Sequence, residues 1–175
     1  MDVKCINEAA RLLILEAAML VDAGTEEAED RLGLFTPVLK GVLTDYGVEN
    51  AIKMQQVWGG HGYIRENGME QIVRDARIAM IYEGANGIQA LDLVGRKLPK
   101  NNGRAMRRFL SDSSNEINTA IENGYRVFSE PVKSALDDLT SATQWLVING
   151  MNNPFAAGAA SYDRSEEHTS ELQSH

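Results

Sequence analysis

"INEAARLLILEAAML", residues 6–20, decides the fold class. Ile6, Ala10, Leu13, Ala17 and Leu20 step by 4, 3, 4 and 3 residues. At 3.6 residues per turn these positions line one face of a helix, and Lys4, Glu8, Arg11 and Asp22 fall off it. Working outward, "DAGTEEAEDRLG" (22–33) reads as a polar break with glycine near each end. "FTPVLKGVLTDYG" (35–47) then restarts a helix, with Thr36 as the expected N-cap and Pro37 at the first helical position, where its missing N–H costs nothing. Phe35, Val38, Leu39, Val42 and Tyr46 form its expected apolar face, and the pattern runs on to Trp58. "GGHGYIRENG" (59–68) interrupts, a short helix follows from Met69 to Arg77, and Ile88, Leu91, Val94 and Leu98 step along another. Two more helices are expected beyond "LPKNNG" (98–103). One carries Ile117, Ala120, Ile121 and Tyr125. The other starts after Pro131 and carries Val132, Leu136, Leu139 and Leu146. No stretch alternates as a strand does. The reading is an all-α antiparallel helical bundle, with a composition shift at 99–103 marking an extra C-terminal helical module.

The bulk numbers narrow the function classes. The chain has 175 residues, 43% of them apolar, which is one domain's worth of chain with enough apolar material for a core. Its net charge of −8 repels phosphate backbones, so nucleic acid is a poor partner. One cysteine, Cys5, excludes an internal disulfide and fits a reducing cytoplasm, here read as bacterial. No apolar run is long enough for a membrane span, and Asn7, Glu8 and Arg11 break any signal-peptide core at the start.

The last twelve residues, "RSEEHTSELQSH" (164–175), match the translation of a common sequencing-library adapter without a mismatch. The natural sequence is therefore expected to stop at Asp163, with residues 164–175 as read-through.

Few residues are candidates for chemistry. His61 has no Cys or second His at ligand spacing, so no metal site is expected. Cys5 has no basic partner and reads as inert. "RAMRR" (104–108) is expected to pair with acids on neighbouring helices. Glu83, in "IYEGANGIQ" (81–89), is the best candidate. Two readings stand open. In one, Glu83 caps the helix that follows, which composition and spacing alone favour. In the other, its carboxylate sits in an apolar cleft beside Ile81 and Tyr82, where desolvation makes it a stronger base for a weak carbon acid.

Two stretches together resemble the acyl-CoA dehydrogenase family. "QQVWGGHGYIRENGMEQIVRDARI" (55–78) matches the family's Q-x-x-G-G-x-G-Y followed by R-D-x-R, and "IYEGANGIQ" matches its Y-E-G-T-x-x-I-Q. "LFTPVLKGVLTDYG" (34–47) and "ALDLVGRKL" (90–98) extend the likeness over residues 1–98, as the family's C-terminal helical-bundle domain in an N-terminally truncated protein. Residues 99–163 resemble an incomplete extra module of a longer bacterial subgroup, which includes the 3-methylmercaptopropionyl-CoA dehydrogenases.

The resemblance implies a flavoprotein oxidoreductase that converts an acyl-CoA to a trans-2-enoyl-CoA. Glu83 matches the base that removes the α-proton while a hydride leaves the β-carbon for FAD, and its own backbone amide helps polarise the thioester carbonyl. Tyr82 matches the acyl-pocket wall, and Gly84 lies beside the substrate. Gln56, Val57, Trp58, Gly59 and Gly60 match positions that approach FAD across a subunit interface, and Ala85, Asn86 and Gly87 match positions that approach it directly. Ala85 departs from the family's Thr, so a hydroxyl that reaches the cofactor is lost. The implied partners are an acyl-CoA substrate, an electron-accepting flavoprotein and further copies in a homo-oligomer. The helices and β-domain that carry most flavin and CoA contacts are absent from this stretch, so the fragment alone is expected to be inactive. Three rivals remain: a non-catalytic helical interaction module, an acyl-CoA oxidase, and a DNA-associated relative, against which the acidic balance argues.

Overall fold

In the computed structural model, which describes residues 2–150, 153 and 155–161, every element is helical. Helix α1 (Asp2–Ala23) and helix α2 (Glu26–Trp58) form an antiparallel hairpin joined by only Gly24 and Thr25. Two 3₁₀ turns over Gly59–Tyr63 and Arg65–Asn67 lead to α3 (Met69–Ile78). Helix α4 (Asn86–Asp92) runs on through a wide turn, Leu93–Lys97, in which Leu98 N donates to Leu93 O at 2.9 Å, an i→i+5 bond. Then come α5 (Arg104–Glu122), α6 (Arg126–Asn149) and a short α7 (155–161).

The expected face of α1 is the observed one: Ala17 is buried and Ile6, Ala10, Leu13 and Leu20 are half-buried, whereas Leu12, Leu15 and Met19 are exposed. It packs against α2, with Arg31 2.6 Å from Glu16 and Asn50 donating to Asn7 at 3.2 Å. Pairing 16 with 31 and 7 with 50 is the register of two antiparallel helices.

The start of α2 corrects the sequence reading. The helix begins at Glu26, inside the stretch expected to be a break. Thr25, not Thr36, is the N-cap, and its hydroxyl accepts from Ala28 N at 3.2 Å. Glu26, Glu27 and Glu29 lie in the first turn, where carboxylates complement the helix dipole. A run that looked like polar linker is thus a well-capped first turn. Pro37 is buried in the helix interior, and the Thr36 hydroxyl donates back to Leu32 O at 2.8 Å. Two other boundaries differ. Pro131 lies inside α6, which starts at Arg126, and Tyr125 caps α6 instead of riding on α5.

The core gathers where α2, the wide turn, α5 and α6 meet. Leu34, Leu93, Met106 and Leu139 are buried together, with Phe35, Val38, Leu98, Phe109 and Leu136 packed around them. The cluster joins residues on both sides of the composition shift at 99–103. Phe35 and Phe109 meet edge to face at 6.1 Å, and the Arg31 guanidinium lies over both rings at 5.3 and 5.8 Å. Two of the three arginines of the basic cluster pair with acids as expected, while Arg107 donates to Asn102 O. Arg104 reaches Asp30 and Glu26, each at 2.6 Å, and Arg108 reaches Glu27 at 2.9 Å. Along α4 and into the wide turn the buried stripe is Asn86, Ala90 and Leu93, while Ile88 and Leu91, expected inside, are 57% and 47% exposed. Val132 of α6, also expected inside, is half exposed.

Asp30 is buried, and the hydrogen bond from Arg104 holds its carboxyl below the ordinary value of 3.8 against the opposing effect of burial. A lowered folded-state value means that this stabilisation is full above 3.8 and is lost as the pH falls through the lowered value. Asp30→Asn should therefore flatten the loss of stability on acidification below about pH 4 and lower stability at pH 7. Urea unfolding at pH 7 and pH 3 measures both effects.

Candidate active site

Glu83 sits in the loop 79–85, between α3 and α4. The chain turns off α3 with Tyr82 N donating to Ile78 O at 3.1 Å, and Asn86 N closes the loop onto Met80 O at 3.2 Å. Within this loop Glu83 is held at φ 55° and Gly84 at φ 88°. A left-handed backbone costs a side-chain-bearing residue roughly 1–2 kcal/mol, so the closure at each end must hold Glu83 there. The Glu83 carboxylate is exposed and no described residue pairs with it. It does not cap α4, because Ala85 occupies the cap position and no side chain bonds there. The cap reading is thereby corrected. So is the apolar cleft: Ile81 and Tyr82 flank Glu83 in sequence but are themselves about half exposed, at 52% each, and enclose nothing. No described residue accepts a hydrogen bond from the backbone N–H of Glu83, Gly84 or Ala85.

Asn86, matched above to a flavin-approaching position, is instead 93% buried, at 7% exposure. Its amide nitrogen donates to Asp45 Oδ1 (2.8 Å) and Thr44 Oγ1 (3.0 Å), with Gly41 O a further acceptor at 3.2 Å. Its oxygen accepts from Lys40 Nζ at 2.7 Å, and the Thr44 hydroxyl gives its own proton to Lys40 O at 2.7 Å. One turn and a half of α2 thus engages both the nitrogen and the oxygen of the buried amide. Burial pushes the Asp45 carboxyl above its ordinary value, opposed by the bond from Asn86 and the charges of Lys40 and Arg77. Nothing in the motif reading singled out Lys40, Thr44 or Asp45. The available signal was one polar pair, Lys40 and Thr44 at i,i+4 spacing, with Asp45 beside it, in a mostly apolar stretch of the helix.

The second stretch lies elsewhere. Gln56, Val57, Trp58, Gly59 and Gly60 are all exposed at the far end of α2. From Thr44 to Trp58 the helix advances roughly 21 Å at 1.5 Å per residue. The two sets of candidate residues are therefore not brought together within this chain. Beyond Gly60 the backbone folds tightly over the helix end. Gln55 Nε2 donates to Gly62 O at 3.1 Å and Asn67 Nδ2 to His61 O at 2.7 Å. A methyl group at Gly62 would stand 2.7 Å from Gln55 O and 2.9 Å from Trp58 Cβ, whereas one at Gly60 would meet nothing within 4 Å. A depression of about 500 Å³ is lined by Gln55, Tyr63, Arg65, Glu70, Val73 and Arg74, away from Glu83.

A family model described as "Acyl-CoA dehydrogenase, C-terminal domain" matches residues 1–98, and the chain belongs to the acyl-CoA dehydrogenase family. It is 40% identical over 113 residues to 3-methylmercaptopropionyl-CoA dehydrogenase of Ruegeria pomeroyi, covering 61% of this chain and 19% of that one. It is 31% identical over 117 residues to butyryl-CoA dehydrogenase of Syntrophomonas wolfei, covering 62% of this chain and 19% of that one. The chain thus spans about a fifth of the length of these relatives. The fold is shared with Caenorhabditis elegans ACDH-11, solved in complex with C11-CoA, at a TM-score of 0.69 and 24% identity, over 93% of this chain and 29% of that one.

Two stability measurements check this geometry. Gly62→Ala should destabilise the chain by about 1–3 kcal/mol because a backbone oxygen must move, and Gly60→Ala should cost nothing measurable. Glu83→Gly should raise stability by about 1 kcal/mol by releasing the left-handed strain, with Glu83→Ala close to neutral in the same thermal scan.

Proposed function

We propose that this chain is the C-terminal helical part of a flavin-dependent acyl-CoA dehydrogenase whose longer form converts an acyl-CoA thioester to a trans-2-enoyl-CoA. The observation that carries the reading is Glu83 itself, a carboxylate on a strained backbone whose N–H, with those of its two successors, is claimed by no described residue. A donor and a base in one residue suit a carbon acid activated through its carbonyl. The backbone N–H polarises the thioester oxygen, which acidifies the α-proton, and the carboxylate of the same residue removes it. Tyr82 then forms one wall for the acyl chain, and Gly84 leaves the substrate room beside the base. Relatives named for CoA thioesters, and a structural neighbour solved with C11-CoA, support that substrate class.

The residues present fit FAD in part. The exposed backbone at Gly59 and Gly60 has open space beside it, as close approach of a flat cofactor requires, and Ala85 and Gly87 offer backbone without bulky side chains. Asn86 does not fit a direct contact, since its side chain is buried and bonded to α2. FAD, when bound, would take the hydride leaving the β-carbon. The span of about 21 Å between the two stretches agrees with a flavin held by Gln56–Gly60 of one copy and the Glu83 loop of another, in a homo-oligomer. An electron-accepting flavoprotein would complete the cycle. Water exclusion around Glu83 must come from parts beyond this chain, because here the carboxylate is open to solvent.

Glu83→Gln in the longer protein should keep FAD bound and abolish flavin bleaching by acyl-CoA, a loss of at least about 10³-fold. Bleaching at the wild-type rate would remove Glu83 as the base. The 175-residue chain alone should emerge from desalting without flavin absorbance.

A further inference from the structure

The buried side chain of Asn86 joins two features: the strained loop bearing Glu83 and a polar patch on α2. Glu83 lies three residues before Asn86, whose own N–H closes the loop onto Met80 O at 3.2 Å. The Asn86 side chain ties that end of the loop to α2, through Lys40 at 2.7 Å, Asp45 at 2.8 Å and Thr44 at 3.0 Å. A lone amide buried in an α-helical interface carries a desolvation cost and is tolerated only when hydrogen-bonded, as this one is at both its nitrogen and its oxygen. An alanine or leucine could fill such a space more cheaply. What a bonded amide adds is direction: donors and acceptors of opposite sense fix one rotamer and one height along α2. A Thr44 hydroxyl that also donates to Lys40 O at 2.7 Å, and a lysine brought to a partly buried acceptor, build the receiving side into the helix itself.

We propose that Lys40, Thr44 and Asp45 are positioning residues for Glu83, acting through the buried Asn86 amide. This rests on the reading of Glu83 as the base. The three α2 residues touch neither substrate nor cofactor; they hold the Glu83 carboxylate and backbone N–H in one place relative to the helix. The chemistry of the clamp is polar and directional, so it is sensitive to exchanging donor for acceptor and insensitive to moving the same pair from one side of the contact to the other.

That swap is the test, in the longer FAD-loaded protein. Asn86→Asp puts a second carboxylate against Asp45. It should slow flavin reduction at saturating acyl-CoA by about 100-fold, with the half-saturating substrate concentration changed less than about threefold and FAD retained. Adding Asp45→Asn restores one donor facing one acceptor and should return the rate to within about tenfold of wild type. A residue needed only for folding would lower the thermal midpoint and FAD content without this split or this rescue. Asn86→Asp reducing flavin at the wild-type rate overturns the proposal. So does a folded, flavin-bound double variant that stays as slow as the single one. If Asn86→Asp does not fold, Lys40→Met decides: it removes one donor without burying a new charge. It should slow reduction by about tenfold, and an unchanged rate overturns the proposal. Glu83→Gln, run alongside, separates the two claims. Inactive Glu83→Gln with fully active Asn86→Asp removes the positioning role alone, whereas active Glu83→Gln removes the base and the positioning role with it.

Discussion

Helices α1, α3, α4 and α5 all take their places from α2, with α6 packed on α5, and α2 persists as one rod only because its interior tolerates a proline. Pro37 brings no N–H, so the carbonyl of Gly33 loses its helical donor, a change that costs about 3 kcal/mol or more in a helix interior. Burial of Leu34 and packing of Phe35, Val38, Phe109 and Met106 around the same turn offset it. With the rod intact, α1 packs along one side, α3 and α4 along another, and α5 crosses its beginning. The acidic first turn that meets Arg104 and Arg108, the polar patch that receives Asn86 and the glycine-rich end beyond Trp58 are three stations on one rigid body.

The sequence made much of this legible. The 4, 3, 4, 3 spacing in α1 found the right face because a hairpin partner lies along the whole helix. The same logic failed on α4, where Ile88 and Leu91 stay exposed while Asn86 and Ala90 are buried. Hydrophobic spacing finds the buried face only when burial is by apolar contact. Here a polar side chain is pulled in by a patch more than forty residues away, and no local pattern records that. Thr36–Pro37 misled for a related reason. A threonine before proline is a common helix start, but Thr25, with acids behind it, had already started this one.

The candidate site was legible as residues and not as a place. Both motifs were found, and Glu83 has the unusual backbone that a functional residue can carry. Their separation along α2 could not be read from spacing in the chain, because α3 doubles back along α2 and returns the loop to its middle. Much apolar surface is left uncovered as well: Val57 and Phe128 are both 76% exposed and Val127 79%. The chain spans about a fifth of its relatives' length, and its Glu83 loop and these apolar faces are alike open to solvent.

The wide turn at Leu93–Lys97 has one more consequence. In a regular α-helix, Leu98 would point roughly 140° away from Leu93, five residues earlier. The i→i+5 bond underwinds that stretch and brings both leucines to the same core cluster. The turn is a phase correction between two patterns carried by one rod: the first half meshes with the polar patch of α2, the second with the leucine core. A single-residue deletion there would leave the helix more regular and put it out of phase with one of its two neighbours.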